Sequence, residues 1–259
     1  MAAESPNLPV RSMVMATTKT TTRGSVRTEA GAKRIRAYLD GHVVADTTRP
    51  LLVWEKPYYP TYYFPAADVR ATLVPTGDTE HSPSRGEGRV HDVELADVSA
   101  PQAALTFPDS PLDELRDHVR LDWDSMDAWF EEDEQIFVHP RNPTTRVDVL
   151  PSSRHVQVML GDEVLADTTR AHVLFETGLP PRWYIPKVDV RMGLVTPSST
   201  VTHCPYKGSA DHLAATIDGE LVDVAWSYPT PLPESHRILG LISFYDHRVR
   251  VLVDGQPTR

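Results

Sequence analysis

The chain of 259 residues has one cysteine, Cys204, and thirteen glycines against twenty-three prolines. A single thiol excludes an intrachain disulfide and a zinc site built from several thiolates, and it agrees with a reducing compartment. No apolar run approaches the roughly 18 residues that cross a membrane. The first thirty residues are rich in Thr, Ser and Ala and lack the apolar middle of a secretory signal, so they read as a flexible tail on a cytoplasmic protein. Apolar residues at i, i+3 and i+4 are scarce, and only 111–129 leaves room for a helix or two. With so much proline, which breaks helix interiors, many short strands fit better than long helices. The chain has no GxGxxG or Walker phosphate loop, no HExxH and no GxSxG element, so the common nucleotide, metalloprotease and serine-hydrolase readings lack support. Basic stretches are missing too. The formal net charge is −10, and between Asp109 and Glu134 eleven acids face only Arg116 and Arg120, giving −11 + 2 = −9. Such acidity argues against nucleic acid as a partner, because that affinity rests on Lys and Arg displacing counterions from phosphates. The acidic stretch reads as a solvated surface, since it has no glycine turn at calcium-loop spacing.

What is present is a duplication. Residues 43–74 align with 164–195 at a shift of 121, and fifteen of the 32 pairs are identical without a gap, where chance would give about two. Asp46-Thr47-Thr48-Arg49 falls over Asp167-Thr168-Thr169-Arg170, Glu55 over Glu176, Tyr63 over Tyr184, and Asp68-Val69-Arg70 over Asp189-Val190-Arg191. With one residue inserted, His81-Ser82-Pro83-Ser84-Arg85-Gly86 follows over His203-Cys204-Pro205-Tyr206-Lys207-Gly208. Leu121-Asp122-Trp123-Asp124 then resembles Ser243-Phe244-Tyr245-Asp246. A period near 120 is too long for a solenoid unit, so each copy is expected to be a domain. The expected layout is a flexible tail over 1–32, a first domain over 33–129, an acidic then proline-containing connector over 130–152, and a second domain over 153–256.

Alternating apolar residues flank Asp40-Gly41, Gly161-Asp162 and Asp218-Gly219, which predicts β-hairpins with two-residue turns. Val249, Val251 and Val253 predict a last strand before Asp254-Gly255, and 51–54 and 173–175 read as short strands buried on both faces. Further motifs follow in order: LFETGLPPRWYIPKVDV, THCPYKG, VAWSYPTPLPE and FYDHRVRVLVDG, preceded in the first copy by WEKPYYPTYYFPAADVR and WFEEDEQIFVHPRNPTTRVDVL. This succession resembles the domain of unknown function 427 family, in its tandem-domain bacterial form, across about residues 33–256. The resemblance implies a mainly β fold: two tandem copies of a small β-tent domain of the Mss4-like type, with few short helices. The family is sometimes labelled nucleotidyltransferase-like, a name to which no residue here gives support. Zinc-bearing relatives of that fold use paired cysteines, so no metal is carried over, and no cofactor is expected.

The densest chemistry lies in the second copy. A thiol near an ammonium can act as a nucleophile, and a carboxylate at a strand end can act as a base, which makes Cys204, Lys207 and Glu176 the candidate catalytic groups. His203 adjoins Cys204 but points to the opposite face if both lie in a strand. Arg170, Arg182 and Arg191 are candidate anion contacts, Trp183, Tyr184, Trp226 and Tyr228 candidate walls of an aromatic pocket, and His203 and Tyr206 further candidate ligand contacts. Bland alternatives stand beside each: Cys204 as a small buried hydrophobe, the arginines as structural ion pairs, the aromatics as core. The first copy carries Ser82, Ser84 and Arg85 where the second has Cys204, Tyr206 and Lys207, so function is expected in the second copy. The leading expectation is therefore a small-molecule pocket, binding or enzymatic, with no nucleic-acid or membrane partner. The alternative is a non-catalytic interaction or scaffold module whose acidic connector meets a basic partner. A deep pocket favours the first, an exposed apolar patch spanning both copies the second.

Overall fold

A computed structural model describes residues 26–258. Most of the expected flexible tail, residues 1–25, lies outside the described residues. The first copy comprises β1 (Arg27–Ala30), β2 (Ile35–Leu39), β3 (His42–Thr47), β4 (Leu51–Trp54), β5 (Thr61–Pro65), β6 (Thr72–Ser82), β7 (Gly86–Leu95), β8 (Val98–Thr106), β9 (His118–Leu121), β10 (Ala128–Glu131) and β11 (Glu134–Ile136). The second repeats them one for one. It runs through β12 (Val147–Pro151), β13 (Val156–Leu160), β14 (Glu163–Thr168), β15 (His172–Glu176), β16 (Arg182–Tyr184), β17 (Thr196–Cys204), β18 (Gly208–Ile217), β19 (Glu220–Ser227), β20 (Ile242–Phe244), β21 (Arg250–Val253) and β22 (Gln256–Pro257). The fold is mainly β, and among the described residues the helical segments are all short 3-10 turns, the longest being Pro233–Ile238.

Each copy pairs one large sheet with one small sheet. In the first, seven strands run in the order β1-β4-β5-β9-β8-β7-β6, and the small sheet is β11-β10-β2-β3. In the second, β12-β15-β16 and β17-β18-β19-β20 meet through the bridge Ile185↔Ile242, and the small sheet is β14-β13-β21-β22. The order is the same, and every ladder is antiparallel. Two-residue turns do what their residues allow. Asp40-Gly41, Asp218-Gly219 and Asp254-Gly255 each have both residues at positive φ, while Gly161 alone is positive in its turn, the patterns that match strand twist.

The duplicated Asp-Thr-Thr-Arg segments close a clamp. Thr47 donates to Asp68 at 2.7 Å and accepts from the Arg49 amide at 3.0 Å. Thr168, Asp189 and Arg170 repeat both distances. Arg170 also pairs with Asp189 at 2.6 Å, as Arg49 does with Asp68 at 3.3 Å. These carboxylates pin a 3-10 turn to the end of a small-sheet strand.

Four regions differ from the sequence expectation. β1 pairs with β4 although it lies in the stretch read as tail, and β12 pairs with β15 although it lies in the stretch read as connector. The room for helices at 111–129 holds only the 3-10 turn Asp113–Leu115, because β9 is claimed by β5 and β8 on either side. Phe175, read as buried on both faces, is exposed on β15.

Successive strand residues point to opposite faces, so each large sheet supports two clusters. Ile185 joins the main core of the second copy with Val156, Leu165, Ala225 and Phe244, whereas its neighbour Tyr184 joins Val149, Leu174, Tyr228 and Ile238 on the other face. That second cluster is small, and a cavity opens beside it.

Candidate functional site

The cavity encloses about 270 Å³ and is lined by Leu174, Glu176, Leu179, Pro180, Arg182, Tyr184, Thr202, Lys207, Trp226, Tyr228 and Tyr245. β15 brings Glu176, β16 brings Arg182 and Tyr184, and β19 brings Trp226. The loop after β15 supplies the apolar rim of Leu179 and Pro180. Lys207 stands in the turn between β17 and β18, which closes because Gly208 adopts φ +97°. A Cβ there would sit 3.2 Å from the Thr230 carbonyl, so glycine is required twice over.

Lys207 donates to Glu176 in a largely buried ion pair. Burial acts to lower the ammonium's pKa, but Cys204 and Glu176 beside it outweigh this and hold it above the ordinary lysine value. Lys207 is therefore a fixed positive charge near neutral pH, not the titrating base its desolvation alone would make. At the mouth Arg182 pairs with Asp246 at 2.7 Å. The Trp226 indole N–H donates to the Tyr184 hydroxyl at 3.3 Å, and burial pushes that phenol's pKa up to about 12. Tyr245 lies 4.5 Å from Trp226, and the Arg182 guanidinium 5.9 Å from the Trp226 ring. The result is a cavity with aromatic walls and a neutralised charge pair.

Glu176, Arg182, Tyr184, Lys207 and Trp226 thus line one cavity, and Cys204 packs beside it in the cluster of Tyr184 and Tyr228. His203, on the opposite face of β17, bonds Ser209 at 2.8 Å and stacks on Phe137 at 5.2 Å. Tyr206 turns away as well: its hydroxyl accepts the Asn142 amide at 2.7 Å. Arg191 is exposed and lies 3.7 Å from Glu163. Residues 203–206 are in large part a peg that docks on the connector, where Arg141 donates to the Pro205 carbonyl at 2.8 Å and pairs with Glu134.

Thr202, Tyr245 and, behind the wall, His212 escaped the sequence reading, whereas Tyr228, read there as a wall of an aromatic pocket, does line the cavity. The hairpin register pairs Thr202 with Ala210 and His212 with Trp226, so all four side chains share the cavity face. Counting outward from the Cys204–Gly208 turn was the available signal. Among the described residues no group of three or more His, Cys, Asp or Glu side chains converges to hold a metal ion.

In the first copy Arg85 takes the place of Lys207. Its guanidinium reaches the Tyr63 hydroxyl at 2.8 Å, Glu55 at 2.9 Å and Ser82 at 3.1 Å, and lies 4.9 Å from the Phe107 ring. The Tyr63 hydroxyl in turn donates to Glu55 at 2.7 Å.

A family model described as a domain of unknown function (DUF427) matches residues 27–132 and again 148–255. The chain belongs to this family. Its two DUF427 copies share strand order, clamp and glutamate, and differ in what fills the space beside that glutamate. No curated protein matches the chain, and no helix among the described residues is long and apolar enough to cross a membrane.

Proposed function

We propose that the second DUF427 copy is a small-molecule-binding domain whose ligand is a compact planar molecule with a polar edge. The carrying observation is the buried Lys207–Glu176 pair on the wall of a cavity of about 270 Å³. A buried pair facing open space offers donors and an acceptor to a guest, while Trp226 and Tyr245 offer faces to stack on. Cys204 and Lys207, with Glu176, form the reactive side of the site in this reading, and Arg182 steers an anionic substituent inward. The tent-like fold, a cytoplasmic setting and the lack of a nucleic-acid or membrane partner belong to the same reading.

The test is native mass spectrometry and thermal shift with a panel of heteroaromatic carboxylates. Lys207→Arg, which imports the first copy's plug, is expected to weaken retention by at least about tenfold, or 1.4 kcal/mol. Glu55→Gln is expected to leave it unchanged. Equal retention in Lys207→Arg and wild type would place the ligand elsewhere.

A second reading, an interaction module, is favoured by the exposed Tyr58, Phe137, Val138 and Val201, which come from the first copy, the connector and the second copy. Val138 is held at φ +73°, a conformation costly for a β-branched residue, of order 1–3 kcal/mol. Pull-down of a basic partner that is lost on Phe137→Ser, with ligand retention absent, would favour this reading.

A further inference from the structure

The imidazole on the cavity face is His212, which is 2% exposed and takes no part in the Lys207–Glu176 pair. Thr202 Oγ1 lies 2.9 Å from its Nε2. The Tyr245 hydroxyl lies 3.4 Å from Nδ1, and Asp223 Oδ2 lies 4.0 Å from the same nitrogen. Thr202 and Tyr245 line the cavity, so His212 stands one atom behind the wall, joined to it by two hydroxyls. A neutral imidazole has one donor and one acceptor nitrogen. Asp223, kept below the usual carboxylate range by hydrogen bonds from Thr200 and Ser198, favours the proton on Nδ1. Nε2 is then the acceptor, and the Thr202 O–H is its donor. The hydroxyl and imidazole are hydrogen-bonded as in an activated alcohol, while Asp223, at 4.0 Å and hydrogen-bonded instead by Thr200 and Ser198, acts on the ring only through its charge.

We propose that Thr202 is the nucleophile, and His212 the base, of an acyl-transfer centre that acts on a compact aryl ester bound in the cavity. This rests on the small-molecule reading above and adds a reaction to it. Thr202 Oγ bonds to the acyl carbon while its proton passes to His212 Nε2. The tetrahedral adduct collapses, the bond from acyl carbon to the aryl oxygen breaks, and that oxygen leaves with the proton from Nε2. Water then attacks the acyl-threonine, gives one proton through His212 back to Thr202 Oγ, and releases a carboxylic acid. Lys207 and Arg182 line the same cavity, and the N–H groups they do not spend on Glu176 and Asp246 are the donors available to the oxyanion. Asp223 and Tyr245 are positioning residues, since they act only through the imidazole. The ladder registers place Glu80, Val90 and Leu105 of the first copy opposite Thr202, His212 and Trp226, so the first copy has neither hydroxyl nor imidazole there.

Cys204 is the rival nucleophile. It shares the face of Thr202 but is packed among Ala210, Tyr184 and Tyr228 with no bond to an imidazole. The test treats the full chain with p-nitrophenyl acetate, follows the burst of nitrophenolate and maps the acetyl group by peptide mass spectrometry. The expected label is on Thr202. Thr202→Val and His212→Gln each slow the burst by at least about 100-fold. Thr202→Ser keeps the burst with the label at position 202, an outcome that a merely structural role for the hydroxyl does not produce. A label on Cys204 or Lys207, or a burst that survives Thr202→Val, overturns the assignment. Retention of the planar ligands is measured on the same samples: retention without Thr202-dependent acetylation sinks this inference alone, whereas loss of both sinks the pocket reading with it.

Discussion

The two copies keep the same glutamate and the same strand beneath it, yet the cavity beside it is about 170 Å³ in the first, where an arginine covers the carboxylate, and about 270 Å³ in the second, where a lysine does. Arg85 lays a planar fork across Glu55, Tyr63 and Ser82 and stacks on Phe107, so every donor it turns inward is used. Lys207 meets Glu176 as a point charge on a thin stem and leaves a cavity beside it. The difference between a guanidinium and an ammonium is thus one of shape as much as charge. Around it, Phe107 corresponds to Tyr228, Leu105 to Trp226 and Val90 to His212. The first copy is filled by apolar groups where the second presents polar ones. On the function proposed above, the chemistry belongs to the second copy.

Removing the cation breaks the comparison most severely. Arg85→Leu takes from Glu55 its 2.9 Å partner and from Tyr63 and Phe107 their guanidinium contact, leaving Arg120 at 3.7 Å, and is expected to cost about 3 kcal/mol, the lower end of the range for a broken buried pair. Lys207→Met removes one ion pair and no such network, and is expected to cost about 2 kcal/mol. Urea unfolding of the two variants checks this. Equal costs would mean that the extra contacts of Arg85 add nothing.

Acid separates the copies next. Burial lowers the pKa of His91 and His118 in the first copy, of His139 in the connector and of His172 in the second. Each folded imidazole therefore holds its proton less tightly than the unfolded one, whose pKa is about 6.5. As pH falls below that value the unfolded chain takes up protons first, so stability falls with pH and is recovered above it. The melting temperature is expected to drop between pH 7.5 and 5.5 (about one unit either side of that value). His91→Phe with His118→Phe should flatten the slope more than His172→Phe does; matching slopes would contradict it.

The smallest effect lies in one turn. The first copy joins β7 to β8 through Ala96-Asp97, with Ala96 at φ +53°, where the second has Asp218-Gly219. A Cβ in the left-handed region is unfavourable by about 1 kcal/mol, so Ala96→Gly is expected to raise stability by about 0.5 kcal/mol after its own entropy cost. A fall in stability would show that the turn relaxes around the alanine.

Much of this was legible before any coordinates. The ungapped 32-residue match and the Asp-Gly turns foretell two copies built of hairpins. Of the candidate site residues, Glu176, Lys207, Arg182, Tyr184 and Trp226 line one cavity and Cys204 packs beside it, while His203, Tyr206 and Arg191 point elsewhere. What escaped needed ladder register. The resemblance of Leu121-Asp122-Trp123-Asp124 to Ser243-Phe244-Tyr245-Asp246 is off by one: the ladders from Ala104 to Leu121 and from Ala225 to Phe244 set Leu121 opposite Phe244. Tyr245 therefore corresponds to Asp122 and Trp226 to Leu105, so this part of the aromatic wall has no counterpart in the first copy. Thr202 and His212 carry no motif, because they meet only across a hairpin. β1 and β12 were missed because their four or five residues borrow burial from a neighbouring strand and show little pattern of their own.

The β17–β18 hairpin is a ribbon with two working sides. Thr202 and Cys204 face the cavity, while His203 and the Tyr206 hydroxyl grip the connector between the copies. A ribbon has no third side on which to absorb a displacement, so a guest that shifts its tip also changes how tightly the tandem is held together. Thermodynamic reciprocity requires the converse in equal measure: whatever tightens the grip on the connector alters the affinity for the guest by the same free energy. On the small-molecule reading proposed above, the connector is therefore a handle on the binding of the guest.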